Sequence, residues 1–166
     1  LSELKPAFSE TGSVTAGTSS PLTDGAAAVL VTTEDFAHKN AIEPLARIKS
    51  IAVAGCLPEI MGIGPVAASR KALKRANITA DDLDVIELNE AFSSQSLASI
   101  RDLELDTSNV NIDGGALAIG HPLGATGARI TAKAAQILKR KGGRYALATQ
   151  CIGGGQGIAT VLESLS

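Results

Sequence analysis

Apolar and polar positions alternate along the chain with a period that switches between that of strands and that of helices. A short apolar run at residues 26–32, followed by a helix start at Thr33, predicts a buried strand. Residues 46–54 alternate with a period of two, as a strand with one solvated face does. Three further apolar runs predict strands at residues 84–88, 145–149 and 158–162.

Apolar residues at helical spacing fill the intervals between these strands. The predicted helices run from Thr33 to about Asn40, from Pro65 to about Asn77, from Glu90 to Leu103, and from the glycine-rich stretch after His121 to Gly142. Pro65 suits the first turn of its helix, because the N–H that proline lacks would be unpaired there. Gly153, Gly154 and Gly155 predict a tight connection that makes the last two strands a β-hairpin.

This alternation of strands and helices predicts an α/β fold with a mixed five-stranded sheet and helices on both faces. A chain of 166 residues has the length of one domain. Residues 1–20 are polar and broken by Pro6 and Gly12, so we expect an irregular lead-in there, the end of a region that lies upstream. We expect residues 21–166 to form the domain.

Composition and charge narrow the possible partners. The formal net charge is -2 and the aromatic content is 2%, so the chain lacks the positive field and the stacking surfaces that nucleic-acid binding needs. No apolar run predicts a membrane span or a signal peptide. The 2 cysteines favour a reducing, cytoplasmic compartment. Organellar targeting stays open, because the first residue, Leu1, is not methionine and suggests a start within a longer polypeptide.

His121 is the first candidate for chemistry. Gly120 and Pro122 flank it, so its backbone is biased away from the helical region in a loop of small residues. The helix that follows would add the positive potential of its free N–H groups close to the imidazole. Such a place suits a developing oxyanion. The alternative is a structural histidine in a glycine-rich turn.

Two further candidates follow other predicted strands. Cys151 precedes Gly153, and backbone N–H groups in such a turn can approach a reacting carbonyl closely. Asn89 ends the strand at residues 84–88 and could hold a water or a carbonyl oxygen, although asparagine at such a place is commonly a helix cap. A buried structural thiol is the alternative for Cys151 and the preferred interpretation of Cys56. We expect the His121 loop and the Cys151 turn to meet in space.

Three motifs in this order resemble the C-terminal half of a thiolase. They are N-E-A-F at residues 89–92, G-H-P at residues 120–122 and C-I-G at residues 151–153. The resemblance extends to residues 15–29 and 58–65 and therefore covers essentially the whole chain. Each motif alone is weak, but three of them at coherent spacing are specific.

The resemblance implies an acyl-CoA acetyltransferase or 3-ketoacyl-CoA thiolase of fatty acid metabolism. His121 would activate the nucleophile and help to bind the thioester oxygen, and Asn89 would hold the water that completes this oxyanion hole. Cys151 would move the proton of the α-carbon, and the N–H of Gly153 would contribute to a second oxyanion hole. Coenzyme A thioesters, including acetyl-CoA, would be substrates, with no tightly bound cofactor or metal. The full enzyme would be a homo-oligomer.

The chain departs from the family pattern in one decisive respect. The nucleophilic cysteine of a thiolase lies in the N-terminal half, so we expect this chain to be inactive without that partner. Thr18 and Thr23 stand where the family commonly has asparagine, which puts local hydrogen bonding in doubt. Two alternatives remain: a non-catalytic remnant or interaction subunit of a split thiolase, and a condensing enzyme of the ketoacyl-synthase type. The C-I-G-G-G-Q-G ending counts against the second.

Overall fold

The computed structural model describes residues 1–165 and contains a four-stranded mixed sheet. Its strands are β1 (Arg47–Gly55), β2 (Val85–Leu88), β3 (Tyr145–Ile152) and β4 (Gln156–Glu163). The α-helices are α1 (Glu34–Lys39), α2 (Gly64–Ala76), α3 (Ser93–Asp102), α4 (Ala116–Ile119) and α5 (Leu123–Lys141). Short 3₁₀ turns lie at Ala16–Thr18, Pro58–Ile63, Ala80–Asp82 and Thr107–Asn109.

The strands lie in the order β1-β4-β3-β2. The predicted hairpin is confirmed, because β3 and β4 pair antiparallel, with Cys151 opposite Gly157. On its other side β3 pairs in parallel with β2, and Leu88 stands opposite Thr149. Parallel neighbours end at the same edge of a sheet, where α/β proteins usually bind ligands. The ends of β2 and β3 are therefore the place to look for a site.

Helices cover both faces of the sheet, as the sequence predicts. The face that carries Ile86 and Leu147 packs against α2, and the face that carries Val85 and Ala146 packs against α5. Side chains alternate between the two faces along each strand, so each of these strands contributes to both cores. Small residues such as Ala134, which is fully buried in α5, let the helices lie close to the strands. Within the described chain, no helix has the length and apolar character needed to cross a membrane.

The prediction of a fifth strand at residues 26–32 is wrong. This segment belongs to no helix or strand and is exposed along its length, with Leu30 at 71% and Val31 at 67%. A strand needs a neighbour for its backbone N–H and C=O groups. The apolar run indicates that the segment suits burial, but it does not indicate which chain supplies the neighbour.

Three boundaries near the strand ends also differ from the prediction. Helix α3 begins at Ser93 rather than Glu90, because the Glu90 carboxylate bonds to a different part of the chain. The short helix α4 interrupts the glycine-rich stretch that the sequence indicates to be loop. Strand β3 continues to Ile152, so Cys151 lies in the last but one pair of the hairpin before the turn and not in the turn itself.

Candidate functional site

Asn89 and His121 meet at the end of β2. The backbone N–H of Asn89 donates to Thr149 O of β3 at 3.0 Å, which fixes the residue just beyond the sheet. The side-chain Nδ2 of Asn89 lies 3.2 Å from Nε2 of His121, which comes from the loop between α4 and α5. Asn89 is 1% exposed and His121 is half-buried, so this contact is partly shielded from bulk water. The structure thus brings together two of the predicted site residues across 32 positions of sequence.

Thr126 fixes the tautomer of His121. Its hydroxyl donates to Pro122 O at 2.9 Å, so at 2.8 Å from Nδ1 it must accept a hydrogen bond from Nδ1–H. The lone pair of the neutral ring then lies on Nε2, where the Asn89 amide donates to it. Burial, and then the positive charge of Arg129, lower the pKa of His121 below its usual value. At neutral pH the residue is therefore an uncharged base with Nε2 as the basic atom.

The His121 loop is held by Thr23. The backbone N–H of His121 donates to Thr23 Oγ1 at 3.2 Å, and the same hydroxyl donates to Pro21 O at 2.8 Å. Gly120 has a φ of +97°, and a Cβ there would fall 2.5 Å from the Thr23 side chain. The threonine that departs from the family pattern thus supplies a hydrogen bond to the loop. Sequence reasoning missed this role.

Glu90 and Asn111 tie the end of β2 to α4. Asn111 adopts a φ of +47° and pairs with both backbone groups of Leu88, at 2.9 Å to its N–H and 2.8 Å to its C=O. It also donates to Glu90 Oε1 at 2.7 Å, and Glu90 Oε2 accepts from Leu117 N–H at 3.0 Å. The N-terminus of α4 is therefore anchored beside Asn89. The only sequence signal for this brace is the polar pair Asn89-Glu90 directly after a buried strand.

Cys151 lies at the neighbouring strand end, two residues beyond the Thr149 that holds Asn89. The residue is buried, and burial, with a smaller contribution from nearby Cys56, raises the pKa of its thiol. The side chain of Gln150 lies against Gly127 of α5: a Cβ built on this glycine would be 3.6 Å from Nε2 of Gln150. The hairpin end therefore approaches the helix that follows His121, but both ring nitrogens of His121 bond to groups other than the thiol.

Gly153 lies in the turn of the hairpin and is exposed. A Cβ built on it would meet nothing within 4 Å, so the space beside its backbone is open. The following glycines are constrained: Gly154 has a φ of +82° and Gly155 of +85°. Gly155 O accepts from Cys56 N–H at 2.8 Å, which packs the turn against the end of β1. The other histidine, His38, is exposed on α1 beside Glu34.

Family models match both parts of the chain. Residues 42–164 match the model described as "Thiolase, C-terminal domain", and residues 1–35 match "Thiolase, N-terminal domain". A 3-ketoacyl-CoA thiolase of Enterobacter sp. (strain 638) is 55% identical over 98% of this chain and 43% of its own length. The chain thus spans about two fifths of the length of the curated relatives that it matches.

Solved structures agree with the family match. The acetyl-CoA acetyltransferase of Bacillus anthracis superimposes with a TM-score of 0.96 at 46% identity, over 99% of this chain and 42% of that chain. Human mitochondrial 3-ketoacyl-CoA thiolase in complex with CoA gives a TM-score of 0.91 at 45% identity, with the same coverage of 99% and 42%. The chain is similar to these proteins in sequence and in fold alike.

Proposed function

The chain belongs to the thiolase family, and from that premise we propose that it carries the acid–base half of an acyltransferase site for coenzyme A thioesters. The observation that supports this most directly is the hydrogen-bonded row Asn89–His121–Thr126. That row presents a half-buried, neutral imidazole whose basic atom is Nε2. A neutral base of this kind can accept a proton from a thiol at physiological pH.

His121 is the proposed base for the nucleophile. In thiolysis a thiol attacks a carbonyl carbon, the new C–S bond forms, and the thiol proton must leave. Nε2 accepts that proton and becomes an imidazolium, which then stabilises the negative oxygen of the tetrahedral intermediate. Asn89 donates from its amide at the same point and, in this proposal, holds the water that completes the oxyanion hole. The lowered pKa of His121 favours return of the proton at the end of the step.

Cys151 is the proposed proton carrier for the α-carbon of the second thioester. Its raised pKa keeps the thiol protonated near neutral pH, which suits donation of a proton to the carbanion released when a 3-ketoacyl chain is cleaved. In the condensation direction Cys151 must instead act as a thiolate, which accepts the proton of the α-carbon of the second thioester. Because its pKa is raised, other groups in the complete site must help to form this thiolate. The open backbone N–H of Gly153 lies two residues away and is the proposed donor of a second oxyanion hole.

Acyl-CoA and acetyl-CoA are the proposed substrates, because the similar human enzyme has been solved with CoA. No tightly bound cofactor is needed for this chemistry. We propose a reducing compartment, which the two free cysteines favour. The similar proteins include a mitochondrial enzyme and a bacterial enzyme. The working enzyme is proposed to be a homo-oligomer.

The nucleophile is proposed to come from an N-terminal thiolase half. The chain contains two cysteines, Cys56 and Cys151, and the ring nitrogens of His121 bond to Asn89 and Thr126 rather than to either thiol. Residues 1–35 match the N-terminal family model, and their exposed segment 26–32 has the apolar pattern of a strand without a neighbour. We infer that this segment joins the sheet of that half. The isolated chain is then inactive.

Complementation tests this function. Adding the N-terminal half of a thiolase to the chain should produce thiolysis of acetoacetyl-CoA. Substituting His121→Ala or Cys151→Ala should then lower kcat by about 10²–10⁴-fold, the usual contribution of a general acid or base. His38→Ala is the matched control, since His38 is exposed on α1.

The possible outcomes separate the candidates. Full activity in the His121 or Cys151 variant would contradict the assigned roles. A complex that forms without thiolysis would instead favour the non-catalytic subunit.

A further inference from the structure

Residues 19–25, the strap, lie across both loops that carry the Asn89–His121 pair. The backbone N–H of Ser20 donates to Ala91 O at 3.0 Å, and the Ser20 hydroxyl donates to the same carbonyl at 3.1 Å. Ala91 follows Asn89 by two residues in the chain. The first end of the strap is therefore fixed beside the residue that bonds to the imidazole.

The second end of the strap is fixed to the His121 loop. The Thr23 hydroxyl gives its one proton to Pro21 O at 2.8 Å, and its oxygen accepts from the backbone N–H of His121 at 3.2 Å. Gly25 lies against Pro122, because a Cβ built on this glycine would fall 2.8 Å from the proline ring. The same short segment thus contacts both loops of the candidate site.

The strap continues directly into segment 26–32, which is proposed to join the sheet of the N-terminal half. Residues 1–35 match the N-terminal family model, whereas both loops that the strap contacts lie in residues 42–164, which match the C-terminal model. Thr23 stands three residues before segment 26–32. Because ordering at one end of a short segment lowers the entropy cost of a contact at its other end, docking of segment 26–32 and the hold on His121 are connected.

We propose that Thr23 is a positioning residue for His121 and that the strap couples this positioning to association with the N-terminal half. When segment 26–32 joins the sheet of that half, the strap is fixed on both sides, and Thr23 Oγ1 holds the backbone of His121 where Nε2 meets the Asn89 amide. Thr23 acts through His121 and not on the substrate. The inference rests on the proposed function for its catalytic consequence, but the contact between Thr23 and His121 exists in the chain alone.

Amide hydrogen exchange, followed by NMR, tests this contact in the isolated chain. Thr23→Val keeps the branched side chain that packs against Gly120 and removes the hydroxyl. The backbone N–H of His121 should then exchange about fivefold faster, as expected for the loss of one hydrogen bond. Thr23→Ser, which keeps the hydroxyl, should exchange at nearly the parent rate. Thr23 is only half-buried, and Thr23→Ala carries the same prediction if the valine variant fails to fold.

Thr18→Val is the matched control. The Thr18 hydroxyl also donates to one backbone group and accepts from another, at 3.2 and 2.9 Å, but both groups belong to Thr15. This variant should leave the exchange rate of the His121 N–H unchanged.

Association with the N-terminal half tests the coupling. Its addition should slow exchange of the His121 N–H by about fivefold or more in the parent chain and in Thr23→Ser, the lower range for two coupled sites, and by clearly less in Thr23→Val. In the complemented enzyme, Thr23→Val should lower kcat about tenfold with KM unchanged, since a displaced base slows the chemical step, and Thr23→Ser should restore kcat.

Three results would overturn the proposal: an unchanged exchange rate of the His121 N–H in Thr23→Val, equal slowing of exchange in the parent and in Thr23→Val on association, or the absence of a complex. Equal slowing would mean that the N-terminal half covers the His121 loop directly. The exchange measurements need no turnover. If they agree with the proposal while the parent complex shows no thiolysis, the proposed function fails and the positioning contact stands, so the two failures are distinguishable.

Discussion

At the residue scale, the smallest unit of the candidate site is the pair Thr126 and His121. The Thr126 hydroxyl is fully buried and has one proton, which Pro122 O accepts. It is therefore an acceptor for Nδ1–H and leaves Nε2 basic. One hydroxyl thus decides which nitrogen can act in proton transfer.

Thr126→Val keeps the shape of this side chain and removes its hydroxyl. We expect the free energy of unfolding to fall by about 1–2 kcal/mol, because Nδ1–H is left buried without its acceptor. The ring should also lose its preference for the Nδ1–H tautomer. Urea unfolding and the ¹⁵N shifts of the His121 ring measure the two effects.

The matched control for this substitution is Thr131→Val. The Thr131 hydroxyl also donates to a carbonyl four residues earlier, Gly127 O at 2.8 Å, but it bonds to no histidine. This variant should leave the tautomer of His121 unchanged. A tautomer that survives in Thr126→Val would show that another group fixes it.

The residues of the candidate site were predictable from sequence only where their chemistry is visible locally. His121 stands out among glycines, and Asn89 follows a buried strand, so both could be named in advance. Thr23 and Asn111 could not, because their hydrogen-bond partners lie 98 and 23 positions away. A threonine or an asparagine in a loop gives no local signal of such a distant contact.

At the element scale, segment 26–32 shows what an apolar pattern can and cannot predict. The pattern indicates a buried strand correctly for β2, whose neighbour β3 is in the chain. The same type of pattern at residues 26–32 gives an exposed segment, since pairing is a property of two strands. The C-terminal ends of helices α2 and α5 were predictable almost to the residue, because their caps, Asn77 and Gly142, are local signals.

Leu30→Asp tests the proposed role of this segment. Leu30 is 71% exposed, so the charge should leave the stability of the isolated chain within about 0.5 kcal/mol. If the segment joins the sheet of the N-terminal half, the same charge is buried in the complex. Association should then weaken at least about tenfold, since a buried unpaired charge costs several kcal/mol. Titration calorimetry with the N-terminal half measures this.

Leu97→Asp, on the exposed side of α3, is the matched control for Leu30→Asp. It introduces the same charge at a position 49% exposed and outside the segment. Equal affinities for the parent chain and Leu30→Asp would exclude segment 26–32 from the interface.

At the scale of the whole molecule, the buried carboxyl group of Glu87 contributes to how stability depends on pH. Burial raises the pKa of Glu87 to about 7; Lys133 and Arg129 oppose this rise, and Asp113 and Glu90 add to it. A carboxyl group whose pKa is higher in the folded chain stabilises the fold below its unfolded pKa. That stability is lost as the pH rises through about 7. The lowered pKa of His121 acts in the opposite direction, because its contribution is lost as the pH falls.

Glu87→Gln should therefore flatten the pH profile of the whole domain. The amide keeps a carbonyl oxygen at this buried position and cannot ionise, so the loss of stability between the ordinary carboxyl pKa of 4.5 and the raised value of about 7 should disappear. Relative to the parent chain, the variant should gain up to about 3 kcal/mol at alkaline pH compared with acidic pH. Urea unfolding of both chains at about pH 5 and about pH 8 measures this difference.

The pH dependence of stability that remains in Glu87→Gln reports the contribution of His121. With the carboxyl removed, stability should rise with pH below the ordinary histidine pKa of 6.5, as expected for a ring that the fold keeps neutral. Glu59→Gln, at an exposed carboxyl of the 3₁₀ turn Pro58–Ile63, should leave the parent profile intact. Parallel profiles for Glu87→Gln and the parent would mean that Glu87 titrates normally in the folded chain. The domain would then bury a carboxylate that its cations fully compensate.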